Sequence, residues 1–349
     1  MGVSSLLDLP ALKALWKQRR WGQPAWQAFE KGYFEELWPD YAASTGLPEP
    51  VRQALEAEVP FFPLQLAHES RASDGTLKLL FETHDGHLFE TVLMCYRAGK
   101  GERYTVCVSS QVGCPARCTF CATATMKWAR NLRSDEILAQ VIWCNRLLKS
   151  QGARVNNLVF MGMGEPLLNY EEIKSSLDTL LQQRKFGLGP RHITLSSVGI
   201  VPGIERLIAD GVPVNLAISL HAPNDTLRSQ IVPINKSYPL ETLFASLDRW
   251  SQNSGKDIFY QYVMLKDVND RPEHITELAG WLKNRPSRLN LIPYNPGPSL
   301  QELDPTERGQ IFTFAEGLRA HGLHVLIRHT FGQDIAAACG QLVVQTGKG

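Results

Sequence analysis

Tyr104-Thr-Val-Cys-Val108, then Ser109-Ser-Gln-Val-Gly113, then Cys114-Pro-Ala-Arg-Cys118-Thr-Phe-Cys121: these residues decide the reading of the chain. The first run is rich in β-branched and aromatic side chains and suits a strand. Three cysteines follow in the loop directly after it. From here on, apolar runs of strand length alternate with amphipathic helices, the later runs being Leu158 to Met161, Ile193 to Ser196, Val214 to Leu220, Phe259 to Met264 and Leu289 to Ile292. Strands alternating with helices imply a parallel sheet. About six such units with a last strand near Leu323 to Ile327 make an α/β fold, an incomplete (β/α)6-type barrel. Its ligand site is expected at the C-terminal ends of the strands.

The helix after the first unit has a legible start. Ser134 suits an N-cap, Asp135 and Glu136 suit the positive end of the dipole, and Ile137, Leu138, Val141 and Leu148 share a face. Upstream, Thr76 to Thr83 and Leu88 to Cys95 alternate across Asp85-Gly86, whose letters suit a type I′ hairpin turn. Residues 1 to about 70 read as helical, with Leu6, Leu7, Leu12, Leu15, Trp16, Trp26, Phe29, Phe34 and Leu37 at spacings near three and four. The expected organisation is a helical N-terminal domain over 1–75, a β-hairpin linker over 76–103 and a barrel with its C-terminal segment over 104–349. Trp16, Lys17, Arg19, Arg20 and Trp21 mix rings and cations as nucleic-acid surfaces do, and equally as a solvated helix face with core tryptophans does.

Composition narrows the function class. With 349 residues and 44 % hydrophobic content the chain can bury a sizeable core. No apolar run reaches the roughly 18 residues of a membrane span. Asp8, Lys13, Lys17, Arg19 and Arg20 interrupt the first residues, unlike a signal peptide, so a cytoplasmic location is expected. A net charge of +1 leaves any nucleic-acid surface to local patches. Seven cysteines in a chain of this length suggest metal or redox chemistry rather than a disulfide scaffold.

Cys114, Cys118 and Cys121 can supply three thiolates to three irons of a cubane, leaving the fourth iron free to chelate a substrate. That open iron suits the amino and carboxylate groups of S-adenosylmethionine (SAM), whose reduction to a 5′-deoxyadenosyl radical is cofactor chemistry. A zinc knuckle with Cys107 as the fourth ligand is the other reading. Gly162-Met-Gly164-Glu165-Pro166 follows the second strand, where glycines let backbone approach a ligand and a carboxylate can receive an ammonium group. Ser196, Ser219, Leu220, His221 and Asn295 lie at later strand ends, where a barrel gathers ligand-binding residues.

With these segments in hand the chain resembles the RlmN/Cfr family of radical SAM RNA methyltransferases. The matching stretches are Cys107 to Cys121, Arg130-Asn-Leu-Arg133, Phe160 to Asn169, Thr194 to Gly199, Ser219-Leu-His221, Leu291-Ile-Pro-Tyr-Asn295 and Asp334 to Gly340 with Cys339. The resemblance implies a radical SAM barrel, a [4Fe-4S] cluster on Cys114, Cys118 and Cys121, and SAM bound near Gly164, Glu165, Ser196, Ser219, Leu220, His221 and Asn295. It implies that Cys339 takes a methyl group from one SAM, that a second SAM yields the radical, and that the methylene carbon is passed to an adenine carbon. Cys107 would resolve the adduct and end as a disulfide with Cys339, and Glu90 would be a proton acceptor. The implied partners are RNA, ribosomal or transfer, and an electron donor such as flavodoxin or ferredoxin, with a monomeric enzyme and no membrane. C2 and C8 enzymes share all these motifs, C2 being the commoner activity. Cys95 and Cys144 match none and read as structural. A radical SAM enzyme of another reaction type would have no need of Cys339, and a zinc-bearing RNA-binding module would have no catalysis.

Overall fold

A computed structural model describes residues 2–98, 101–297 and 303–344. Its strands are β1 (Leu64–Arg71), β2 (Leu77–Thr83), β3 (Leu88–Ala98), β4 (Gly101–Cys107), β5 (Gln111–Val112), β6 (Arg130–Asn131), β7 (Asn157–Phe160), β8 (Ile193–Ser197), β9 (Asn215–Ser219), β10 (Ile258–Met264), β11 (Ser287–Pro293) and β12 (Val325–Ile327). The main helices are α1 (Leu9–Gln18), α2 (Gln23–Glu30), α3 (Glu49–Glu58), α4 (Ser134–Lys149), α5 (Tyr170–Leu180), α6 (Val201–Ala209), α7 (Asp225–Ile231), α8 (Leu240–Ser254), α9 (Pro272–Leu282) and α10 (Arg308–Ala320). One sheet runs in the order β1-β2-β3-β4-β7-β8-β9-β10-β11-β12. From β4 to β12 every neighbouring pair is parallel. No pairing joins β12 back to β4 among the described residues, so the barrel is open, as the alternation of strands and helices predicts. Leu158, Phe160, Ile193, Leu195, Leu216, Ile218, Tyr260, Tyr262, Leu289 and Leu291 are buried, as strands covered on both faces require.

Three local expectations are corrected. Residues 64–71 form a strand, not the end of a helical region. β1 is an edge strand with β2 as its partner, irregular between Leu66 and His68, and largely exposed, so its letters carry little period-2 signal and the pairing itself decides its state. The β2–β3 turn is not type I′, because Gly86 has a positive φ and Asp85 does not. Gly86 N–H donates to the Thr83 carbonyl at 2.9 Å and Thr83 N–H to the His87 carbonyl at 2.9 Å, the pattern of a three-residue loop closed by a left-handed glycine. Helix α4 starts one residue earlier than a Ser134 cap implies. Arg133 is its N-cap residue, with Glu136 Oε2 accepting the Arg133 N–H at 2.8 Å, while Ser134 N–H donates to Glu172 Oε2 at 2.7 Å.

The hairpin is continuous with the barrel sheet, because β3 pairs antiparallel with β4 and sets Val92 opposite Cys107. The N-terminal helices pack their aromatic residues inward. Trp16 is buried and meets Trp21 and Trp26 edge-on, with centroids 4.9 and 5.1 Å away, while Lys17, Arg19 and Arg20 are exposed and Arg19 pairs with Glu58. The rings therefore serve the core and the cations the solvent. This domain is fastened to α4. The buried Asp135 carboxylate accepts from both Ser4 Oγ and Ser5 Oγ at 2.8 Å, and Arg146 donates to the Trp38 carbonyl with its guanidinium 4.7 Å from the Phe62 ring centroid.

Removing the Asp135 carboxylate takes the acceptor from Ser5 Oγ and one of two carboxylate partners from each of Ser4 and Arg133, which keep Asp8 and Glu136. Asp135→Ala is expected to lower unfolding stability by about 3 kcal/mol. It should also speed proteolysis of the N-terminal domain ahead of the barrel. Denaturant unfolding and timed limited proteolysis check this.

Candidate active site

The strand ends of the parallel sheet open onto one cavity of about 1500 Å3, its open mouth included. Cys107, at the end of β4, lines it, as do Cys114, Cys118 and Cys121 from the loop that follows. That loop is clipped at its base by the β5–β6 pair, with Gln111 opposite Asn131 and Val112 opposite Arg130. Gly164, Glu165, Ser196, Ser219, His221 and Asn295 line the same cavity from the ends of β7, β8, β9 and β11. Cys339 reaches it from the opposite end of the chain. Leu220 does not line it. Its side chain is fully buried, and the strand alternation that turns Ser219 and His221 to the opening turns Leu220 into the core. Glu90 also lies outside it, in a second cavity.

Cys118 is buried and Cys114 and Cys121 are half-buried. Desolvation pushes all three thiols up, Cys114 to about 12, and another cysteine's charge adds to the effect in each case, that of Cys121 on Cys114, of Cys121 and Cys114 on Cys118, and of Cys339 on Cys121. Thiolates can persist here only beside a cation that is bound to them, which is what metal ligation supplies. Among the described residues no three His, Cys, Asp or Glu side chains converge on a point for one metal ion, as a closed zinc site with Cys107 would need. A cluster, held at separate corners, makes no such demand. The Tyr294 hydroxyl lines the cavity with no hydrogen-bond partner, and the charge of Cys121 adds to burial in raising it. An orphaned hydroxyl near the Cys121 thiol fits a polar group that completes the site.

The Gly162–Glu165 turn does two jobs that differ from the sequence expectation. A Cβ at Gly162 would stand 2.7 Å from the Val108 carbonyl oxygen and from Ser109 Oγ, and one at Gly164, where φ is +105°, would stand 2.7 Å from Ser110 Oγ. The glycines thus let this turn lie against the loop after β4. The Glu165 carboxylate is engaged by peptide groups, with Oε1 accepting from Leu167 N–H at 3.0 Å and Oε2 from Val198 N–H at 2.8 Å. Burial raises it to about 7 despite these donors. It ties the β7 end to the β8 end as well as facing the cavity. His221, at φ +58°, accepts from Val263 N–H at Nδ1 (3.0 Å), and burial, with the nearby Arg228 charge, lowers it to about 3, so it is a neutral imidazole. Its ring meets Phe120 of the cysteine loop edge-on at 4.6 Å. Asn295 Oδ1 accepts from Gln333 Nε2 at 2.8 Å, which links the β11 end to the C-terminal segment.

A model of the radical SAM superfamily matches residues 108–279. A relative from Dictyoglomus thermophilum, named "Probable dual-specificity RNA methyltransferase RlmN", is 41 % identical over 326 residues, which cover 93 % of this chain and 92 % of that protein. Another of the same name from Gemmatimonas aurantiaca is 40 % identical over 336 residues, covering 95 % and 89 %. The crystal structure of a radical SAM methyltransferase from Sphaerobacter thermophilus superposes with a TM-score of 0.93 at 39 % identity, covering 97 % of this chain and 99 % of that one. The chain belongs to the RlmN family of radical SAM methyltransferases. Membership implies a [4Fe-4S] cluster and SAM, in agreement with the donor set. The enzyme is thus a SAM-dependent methyltransferase, and among its described residues no helix is long and apolar enough to cross a membrane.

One residue central to this site carries no sequence signal. Arg228, on α7, is fully buried and forms no ion pair among the described residues, although the Asp225 charge favours its cationic form. Nε donates to the Leu220 carbonyl at 3.0 Å, Nη1 to Asn235 Oδ1 at 2.8 Å, and Nη2 to the carbonyls of Val198 at 2.7 Å and Ser219 at 3.1 Å. It binds the ends of β8 and β9 into one wall. Burial lowers it to about 10, and the Cys118 charge acts in the opposite direction. An arginine after a strand reads as a surface residue, and only the fold shows three main-chain carbonyls converging on it.

Arg228→Met keeps much of the volume and removes the guanidinium donors from those three carbonyls, the Leu220 carbonyl keeping only the Ala222 N–H. The variant is expected to lose about 3 kcal/mol of stability. Urea unfolding checks the size of the loss, and a wild-type midpoint would exclude this bracing role.

Proposed function

We propose that the enzyme methylates an adenine carbon of RNA, C2 in preference to C8, with Cys339 as the carrier of the methyl group. The observation that carries this reading is the meeting of Cys339 and Cys107 in the cavity lined by Cys114, Cys118 and Cys121, close enough that the Cys339 charge acts on Cys107. A radical enzyme that only abstracts substrate hydrogen has no use for two further free thiols there. The names of the relatives support RNA as the substrate class. We assign large-subunit ribosomal RNA as the main substrate and transfer RNA as a second, in the cytoplasm.

The rim of the cavity suits an unpaired nucleotide. Tyr96 is 45 % exposed and meets Phe331 at 6.1 Å, Phe331 meets His329 at 4.9 Å, and exposed Arg328 lines the opening. Aromatic faces beside a guanidinium stack an unpaired base and accept its phosphate.

Cys114, Cys118 and Cys121 would hold the [4Fe-4S] cluster, which supplies reductive cleavage of SAM to a 5′-deoxyadenosyl radical, with electrons from a donor such as flavodoxin or ferredoxin. Cys339, exposed in the cavity, attacks the methyl carbon of a first SAM, so that a sulfur–carbon bond forms as the sulfonium–carbon bond breaks. The second SAM of the turnover would supply the 5′-deoxyadenosyl radical that takes a hydrogen atom from that methyl group. The carbon radical so formed would add to the adenine carbon, whose own hydrogen leaves as a proton, and the one surplus electron would return to the cluster as the adduct is resolved. Cys107 is held as a thiol, because burial and the Cys339 charge raise it, while Arg328 favours its thiolate. It attacks the Cys339 sulfur of the adduct, releasing the methylated base and leaving a Cys107–Cys339 disulfide that must be reduced before the next cycle.

Three single variants separate the steps. Cys118→Ala should lose cluster, SAM cleavage and methylation together. Cys339→Ala should bind the cluster and form neither methylated protein nor modified RNA. Cys107→Ala should accumulate RNA covalently attached through Cys339. Iron and sulfide analysis, peptide mass spectrometry and a denaturing gel with and without nuclease read these outcomes. A Cys107→Ala protein free of RNA under turnover conditions would falsify the resolving role. Nucleoside mass spectrometry of the product distinguishes C2 from C8.

A further inference from the structure

The cysteine loop has an inner and an outer face. Ala116, Cys118 and Phe120 line the main cavity, whereas Arg117 and Thr119, which alternate with them, are exposed and do not line it. The outer face is one residue away from the ligand set. The Arg117 peptide group is close enough to Cys114 to favour its thiolate, and Cys114 is half-buried where Cys118 is buried. Cys114 follows Gly113, at φ +74°, where a Cβ would stand 2.8 Å from the Lys127 carbonyl oxygen and 2.9 Å from the Trp128 Cα. The Lys127–Trp128 backbone therefore packs against the residue next to the first ligand position. Ala129 N–H holds it there by donating to the Val112 carbonyl at 2.9 Å.

This face presents a tryptophan and two cations to solvent. Of the eight tryptophans Trp128 alone is exposed, at 45 %. No aspartate or glutamate occurs between Tyr104 and Ser134, and of the four cations in that stretch Arg130 and Arg133 are paired with Asp85, Asp135 and Glu136. Arg117 and Lys127 are exposed and form no ion pair among the described residues, a local positive excess in a chain whose formal charge is +1. Tryptophan and arginine are the side chains that most often anchor protein interfaces.

The cluster must take up an electron before it can cleave SAM, and electron transfer weakens steeply with distance. A donor therefore has to approach where the cover over a cluster ligand is thinnest. We propose that the outer face of the cysteine loop, formed by Arg117, Lys127 and Trp128, is the docking surface of an acidic flavodoxin. The reduced flavin loses one electron and the cluster gains it, with no bond made or broken. Carboxylates of the donor meet Arg117 and Lys127, and Trp128 offers its ring to the planar flavin edge. A small patch suffices, because electron-transfer encounters are among the smallest specific interfaces. Flavodoxin is favoured over RNA as the occupant because none of the three residues lines the cavity that the base must enter, so a donor here leaves its mouth free. The inference rests on the assignment of the cluster to Cys114, Cys118 and Cys121.

The test uses the cluster-loaded, full-length enzyme without oxygen, as wild type, as the double variant Arg117→Glu with Lys127→Glu, and as Trp128→Ala. Bleaching of the cluster absorbance by reduced flavodoxin gives the rate of reduction, and calorimetry with oxidised flavodoxin gives Kd. The double charge reversal should slow reduction about tenfold at low salt, and the loss should shrink as salt is added. Trp128→Ala should weaken flavodoxin binding about tenfold. Photoreduced 5-deazariboflavin, a small uncharged donor, should reduce all three proteins at the same rate, and all three should bind a transfer RNA transcript equally. A wild-type rate with flavodoxin in the double variant overturns the docking surface. So does equal slowing with 5-deazariboflavin, which would report damage to the loop, or a loss of RNA affinity with the flavodoxin rate unchanged, which would make this an RNA surface. Failure of the cluster assignment reads differently, as iron and sulfide retained by Cys118→Ala, and it would remove the reason for a donor to dock here.

Discussion

Three cysteine thiols gathered in one loop, out of water and within range of one another's charge, cannot ionise without a bound cation, and the structure around them is arranged to keep that loop in place. Its base is clipped by the β5–β6 pair, its tip meets His221 through Phe120, and Ala122 and Thr123 join it to the C-terminal segment. The charge balance is equally local. Arg228 brings a guanidinium into the interior on main-chain carbonyls, near enough to Cys118 for each to favour the other's charged form, while Glu165 brings a carboxylate held by peptide donors. Buried charges of this kind are tolerated only when fully hydrogen-bonded.

The cavity is lined from both halves of the chain, by the strand ends of the barrel and by the C-terminal segment that carries Cys339. Cys107 ends β4, which pairs on one side with the hairpin strand β3 and on the other with the first following barrel strand, β7. The hairpin therefore touches the chemistry twice, through the register that places Val92 beside Cys107 and through the Glu90 carboxylate, which accepts from Val343 N–H of the C-terminal segment.

The N-terminal helices contribute to this frame from a distance. They fasten on α4 through Asp135 and Arg146, and α4 follows directly on the β6 strand that clips the cysteine loop.

Much of this was legible in the letters. The alternation of strand-length apolar runs with amphipathic helices defines a parallel sheet, because period 2 and period 3.6 are local properties of the chain. The Cys114–Cys121 spacing defines the metal chemistry, because ligand spacing within one loop is also local. Tertiary structure alone decided what depends on partners distant in sequence. The strand state of Leu64–Arg71 comes from pairing with β2, and Leu220 turns inward because the pleat alternates. Glu165 bridges two strand ends, and Glu90 faces a second cavity. Arg228 had no signal at all, since a buried guanidinium is recognised by the carbonyls that converge on it, and these belong to Val198, Ser219 and Leu220 at the ends of two different strands. Short-range periodicity and spacing are written in the sequence, whereas the direction a side chain takes and the partner it meets are set by the packing of the whole sheet.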